Sequence, residues 1–413
     1  MQGRLGWAWV VLLAISGCER GAKPTPSAEA KPAVAVAAEQ GTYAGALAAI
    51  DRQLADAREL AAARDGWADH ELVAQLLVRR ARLTGSIDDW VAADQALTAG
   101  FAVAPAGGGP VLTRLELDLS LHRLAQAELR IAQVEAAPLQ TGATKIQLET
   151  ARGELAAQRG DLEAARRAFE RARELGADPG VTAGRMALLA RRRGEYDAAL
   201  SSFEASFEAA RVEASEGQGA AWLLLQAGLV EWTRERPEAA LRNYAAAEQA
   251  FPGWWLVAEH RAEALAALGR TAEAELLYRD VIERTGHPEF MDALAELLAS
   301  SGHDDEAQTW IAAARREHER RLAALPEGAG AHALDHLIQF APHEPRTLEL
   351  ARRVAQVAPN EDNLCRLAEL LLTVGQPEAA RAALEQARAN GAESAELARL
   401  TQLANEPVES APP

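Results

Sequence analysis

The chain has 413 residues, a quarter of them charged, and a net charge of -17. An acidic balance of this size argues against nucleic acid as a partner and against adsorption on anionic lipid, because both need a basic surface. Alanine is abundant, β-branched runs are scarce, and glycine and proline fall between periodic segments. That composition reads as all-α.

At the N-terminus, Arg4 precedes an apolar run from Leu5 to Ile15. The run has the length of a secretory h-region and is too short to cross a bilayer, which takes about 20 apolar residues. It ends in Ile15-Ser16-Gly17-Cys18. This segment resembles a bacterial lipobox, in which small residues precede a cysteine that is lipidated and becomes the new N-terminus. The resemblance implies a leader over 1–17, acylation at Cys18 and membrane contact through the lipid. Removing a leader whose one charge is Arg4 makes the mature chain -18. Glu19 rather than aspartate follows the cysteine, which implies an outer-membrane, periplasm-facing location in a Gram-negative host. Residues 18–41, with Pro24, Pro26 and Pro32, read as a disordered tether. A capping helix is expected over 42–70. With Cys18 committed, Cys365 is left alone in an apolar helix and reads as an inert buried thiol.

From there a frame recurs. Gly160, Ala165, Phe169 and Ala172 are followed by Gly194, Ala199 and Phe203, then by Ala240, Tyr244, Ala247 and Pro252. The frame continues as Gly269, Ala274 and Tyr278, as Gly302, Ala307 and Ala314, and as Gly375, Ala380 and Ala387. Ala165 to Ala199 and Ala240 to Ala274 are each 34 positions apart, whereas Ala199 to Ala240 is 41, which places an insertion around Glu213 to Gly219. The glycines suit a turn with positive φ, the alanines a close helix crossing, and the aromatic residues the space against the next hairpin. This pattern resembles the tetratricopeptide repeat (TPR). The resemblance implies a right-handed α-solenoid of about nine hairpins over 71–393, with a cap and frayed tail over 394–413. Weaker copies lie at Gly85 to Pro105, His122 to Val134 and Ala331 to Pro359.

TPR proteins usually hold peptides or partner domains in a groove lined by the first helix of each hairpin. The frame projects Leu188, Arg191 and Arg192 into such a groove, then Trp222, Leu229 and Trp232. Glu259, His260, Glu263, Asp292 and Glu296 follow. Aromatic and arginine side chains supply binding hot spots, while a helical aromatic stripe is also what packing produces. Trp254 and Trp255, after Pro252, read as a staple between units. His332 and His336 stand i, i+4, a spacing that suits a metal, but without a third ligand or the glutamate of a zinc-protease motif they read as surface histidines. There is no phosphate-cradling loop, haem motif or nucleophile elbow, so no enzyme and no cofactor is expected. The leading expectation is a lipid-anchored scaffold for protein partners in the cell envelope. Two alternatives stay open: a metal-handling or enzymatic accessory using the His332 and His336 cluster, and a periplasmic chaperone for extended chains.

Overall fold

The computed structural model describes residues 41–138, 140–212 and 217–406, with the side chains of 209–212 excepted. Cys18, the leader, the tether and part of the insertion lie outside the described residues. Those that are described form 20 α-helices and no strand.

Helix α1 (Tyr43–Arg64) precedes nine antiparallel hairpins. These are α2–α3 (Trp67–Thr84, Ile87–Val103), α4–α5 (Val111–Ser120, Leu124–Glu135), α6–α7 (Gly142–Gln158, Leu162–Glu174) and α8–α9 (Pro179–Arg192, Tyr196–Val212). They continue as α10–α11 (Gly217–Thr233, Pro237–Ala250), α12–α13 (Trp255–Ala267, Thr271–Thr285) and α14–α15 (Pro288–Ser300, Asp304–Ala324). The last are α16–α17 (Gly330–Phe340, Pro345–Val357) and α18–α19 (Glu361–Thr373, Pro377–Ala389), followed by α20 (Ala395–Asn405). Each hairpin packs on the next, so the fold is an α-solenoid of TPR-like hairpins. No described helix is long and apolar enough to cross a membrane.

The repeat positions do the packing that their side chains permit. Ala165, Ala199, Ala240, Ala274, Ala307 and Ala380 are all essentially inaccessible, as close helix crossings require. The aromatic positions pack both within their own hairpins and against the next. Phe169 and Tyr244 fill space inside their own hairpins: their rings lie where a β-carbon on Gly153 or Gly228 would stand, 2.3 and 2.2 Å away. All three also meet the next hairpin: Phe203 lies edge-on to Trp222 at 6.2 Å, Tyr244 stacks on His260 at 5.6 Å, and the Arg185 guanidinium stands 6.0 Å from the Phe169 ring centroid. The five turn glycines all take positive φ. In the second and fifth hairpins, where the frame has no glycine, His122 and Glu235 adopt the same left-handed conformation, so the turn is kept without it.

The solenoid also closes on itself. Contacts recur between residues 172 to 232 positions apart, or about six repeats of 34 residues. The Trp255 indole donates to the Leu83 carbonyl at 2.9 Å, and Tyr43 N–H donates to the Pro252 carbonyl at 3.1 Å. Asn360 donates to the Gln158 carbonyl, and Glu393 N–H to the Arg192 carbonyl. Successive superhelical layers therefore touch, with turns of the early hairpins seated on later ones.

Two turn glycines separate local from long-range cost. Gly302 has φ 81° and open space around it, so Gly302→Ala is expected to cost about 1–2 kcal/mol for conformation alone. Gly194 has φ 73°, and a β-carbon there would stand 2.5 Å from the Glu393 carbonyl oxygen. Gly194→Ala should therefore cost about 1–3 kcal/mol more. Denaturant unfolding of the two variants measures the difference; equal losses would mean that the layers do not press together at this turn.

Candidate functional site

The first helices from α8 onward face the solenoid interior, and layer closure buries much of what they carry there. Trp222, Leu229 and Trp232 are 4%, 0% and 9% exposed. They are core residues and present no open aromatic surface. Arg191 is buried, and Arg192 spans two layers, donating to the Ala157 carbonyl at 2.9 Å and facing Asp362 at 3.7 Å. Leu188 is half-buried against the core, and Glu296 is half-buried and accepts from Gln339 at 3.1 Å. Glu259, His260, Glu263 and Asp292 are buried. Most of the projected groove side chains are therefore packed. Register predicts the direction of a side chain, whereas contact between layers decides whether the space in front of it is open.

What the interior holds is a polar network. On α12, His260 Nδ1 lies 3.1 Å from Glu259 Oε2 and 3.3 Å from Glu263 Oε2, with its ring stacked on Tyr244. Burial, reinforced by Glu263 and Glu289 and opposed by His260, pushes the Glu259 carboxyl pKa up to about 8. The folded chain thus retains a proton at Glu259 that the unfolded chain, near the ordinary 4.5, releases. Stability is expected to fall as pH rises through this window, since the unfolded state is the one that gains by deprotonation. Glu259→Gln should match the wild type near about pH 5 and exceed it near about pH 8.5. Urea midpoints across that range test this, and parallel curves would contradict it.

On α14, Glu289 and Asp292 each meet a histidine of α16. His332 Nδ1 is 3.5 Å from Glu289 Oε1, and His336 Nδ1 is 2.8 Å from Asp292 Oδ1. The expectation of surface histidines is corrected for His336, which is 3% exposed. Although i, i+4, the two histidines attend different carboxylates, because one helix face meets an i, i+3 acid pair on the other. Protein surroundings press the His332 pKa down to about 4 against the pull of Glu289. Burial opposes ionisation of Glu289 itself, yet Arg321 with His287, His332 and His318 holds its carboxyl well below the usual range.

A second partner of Asp292 comes from α15. His318 Nε2 lies 2.9 Å from Asp292 Oδ2, and the His318 and His336 rings are 5.1 Å apart. His318 belongs to a second helix and was not singled out in the sequence; its only local mark is its place in the unusually long α15. Both histidines also line a cavity of about 160 Å³ with Arg315, Glu319, Arg346 and Arg353. A second, larger cleft of about 530 Å³ lies among α3, α4 and α5, lined by Asp94, Phe101, Arg114, Asp118, Arg123 and Arg130. Burial there lifts the Asp118 carboxyl pKa to about 6 against three nearby arginines. Cys365 is buried and free, and burial pushes its thiol pKa up, away from reactivity.

No protein-family model and no curated protein matches the chain. Among solved structures it is similar to a Rap protein complexed with competence and sporulation factor, at 13% identity over 79% of this chain and 98% of that one, with a TM-score of 0.45. It is similar to the human IFIT1 dimer with m7Gppp-AAAA at 12% identity, over 81% and 79% of the two chains, with a TM-score of 0.43. A tetratricopeptide repeat protein from Parabacteroides merdae is matched at 14% identity, over 71% and 97%, with a TM-score of 0.36. Superpositions this loose leave the fold assignment to the hairpins, the turn geometry and the inaccessible alanines described above.

Proposed function

We propose that this chain is a scaffold that binds protein partners, held at a membrane of the cell envelope by lipid on Cys18, and that it is not an enzyme. The observation that carries the reading is the stack itself: nine hairpins spend their apolar faces on one another and leave charged outer faces and a polar cleft. With Trp222 and Trp232 taken up by packing, the partner surface is assigned to the cleft among α3, α4 and α5. Phe101 there has the Arg114 and Arg130 guanidinium groups 5.9 and 5.5 Å from its ring centroid, and aromatic and arginine side chains are the common anchors of interfaces.

Photo-crosslinking side chains placed at Gln126 and Glu327, on the rim of the cleft, should capture discrete partners in the native envelope. The same probe at Glu385 on α19 should not. Equal capture at all three positions, or none, would sink the assignment. Cys18→Ala should abolish fatty-acid labelling and release the protein from the membrane fraction. Retention without labelling would remove the lipid anchor from the proposal.

A further inference from the structure

Among the described residues, two groups bring three metal-ligating side chains within reach of one ion. Glu259, His260 and Glu263 sit together on α12 and line neither of the cavities described above. Asp292, His318 and His336 differ in both respects. They come from three successive helices, α14, α15 and α16, and their two imidazoles open onto the 160 Å³ cavity.

We propose that Asp292, His318 and His336 form a binding site for a divalent transition-metal ion of the zinc type, with its remaining coordination position facing that cavity. The donor set is two imidazole nitrogens and one carboxylate oxygen, which is the kind zinc takes where three protein ligands leave a fourth position for water. Candidate ligand atoms from the three residues all lie within 4.8 Å of one another. The two contacts to the carboxylate, 2.8 and 2.9 Å, are shorter than the roughly 3.3 Å that separates ligands on a tetrahedral zinc with bonds near 2.0–2.1 Å. Holding the ion asks those two contacts to widen by a few tenths of an ångström and the two nitrogens, which now face different oxygens of Asp292, to converge on one of them.

Without a metal, the same atoms form a hydrogen-bonded ladder in which each imidazole donates an N–H to one oxygen of Asp292. Binding replaces those two hydrogen bonds with bonds to the ion: in each neutral imidazole the proton moves to the other ring nitrogen, and the freed lone pair turns to the metal. All three side chains are at most 10% exposed, which restricts water competition for the ion and fixes the rings. His332 lies outside the set, because it faces Glu289.

The full-length protein, stripped with a chelator and dialysed, should take up one equivalent of Co²⁺ with the visible d–d bands of a low-coordinate site, and Zn²⁺ should displace it. Asp292→Asn, His318→Gln and His336→Gln should each weaken binding by more than about 100-fold, beyond the loss expected from an outer-shell change. His332→Gln should leave binding unchanged. Far-UV circular dichroism shows which variants are folded. For any that are not, the wild-type comparison decides: its melting temperature should rise with Zn²⁺ and return with chelator. Failure of the stripped wild type to bind Co²⁺ or Zn²⁺ would overturn the proposal. So would binding that survives in folded Asp292→Asn and His318→Gln, or that is lost in His332→Gln.

Discussion

Replacing Trp255 with alanine is expected to lower the unfolding free energy by about 3–5 kcal/mol, the range for truncating a buried aromatic, and to free the N-terminal helices from the rest of the stack. Trp255 is 6% exposed. Its ring stacks on His287 at 4.7 Å and leans on Phe290 at 5.6 Å, while its indole N–H donates to the Leu83 carbonyl at the end of α2. The substitution therefore leaves a cavity, orphans a carbonyl and removes a tie between layers. His287 Nε2 lies 3.0 Å from the neighbouring Thr84 carbonyl and would lose its stacking partner. Solenoid stability is a sum of repeat and neighbour terms, so the loss should be local: amide exchange should rise across 43–103 more than across 361–405. Leu276→Ala, at a side chain 71% exposed, should be nearly neutral by comparison. Uniform destabilisation along the chain would refute the idea that Trp255 joins layers.

The second large effect is expected at Asp335. This carboxylate, 5% exposed, accepts two hydrogen bonds from Arg366 at 2.5 and 3.1 Å. Burial raises its pKa against the pull of Arg366, while Asp335 in turn holds the Arg366 guanidinium charged; desolvation thus offsets much of the attraction in such a buried pair. Breaking it is another matter. Asp335→Ala should cost about 3–5 kcal/mol, because Arg366 is left charged beside a cavity. The double variant Asp335→Leu, Arg366→Met should recover most of that loss, since two apolar groups leave no buried charge, the remaining cost being the donor that Asn363 Oδ1 loses with Arg366. Urea denaturation of the three proteins tests both statements. A double variant as unstable as the single one would show that the ion pair is itself a main source of stability between α16 and α18.

The proposed metal site and the pH response at Glu259 share an origin. A solenoid that closes on itself places the inward faces of its first helices in a space with little water, and the residues there are polar. Each must then find a partner, share a proton or hold an ion. Glu259, His260 and Glu263 partner one another within one helix. Asp292 gathers histidines from the two helices that follow its own.

Much of the fold was legible in the chain because it is written locally. Ala165, Ala199, Ala240 and Ala274 recur at the spacing of one hairpin, and Gly160 and Gly194 mark turns whose conformation depends on a few neighbouring residues. The weak copy at His122 to Val134 hid because His122 takes the glycine's conformation, a substitution with no signature in composition. The inward direction of Glu259 and Asp292 was also legible, since a helical frame sets azimuth. Their enclosure was not. Closure is the sum of small rotations over about six repeats, and no single hairpin carries it. The pairing of His336 with Asp292 and His318 spans 44 and 18 residues, and the adjacent His332 and His336 suggested a pair that the helix packing pulls apart. Sequence by itself determined the hairpins and their order. The tertiary structure alone decided which of their polar residues meet, because that depends on how far the stack turns before it touches itself.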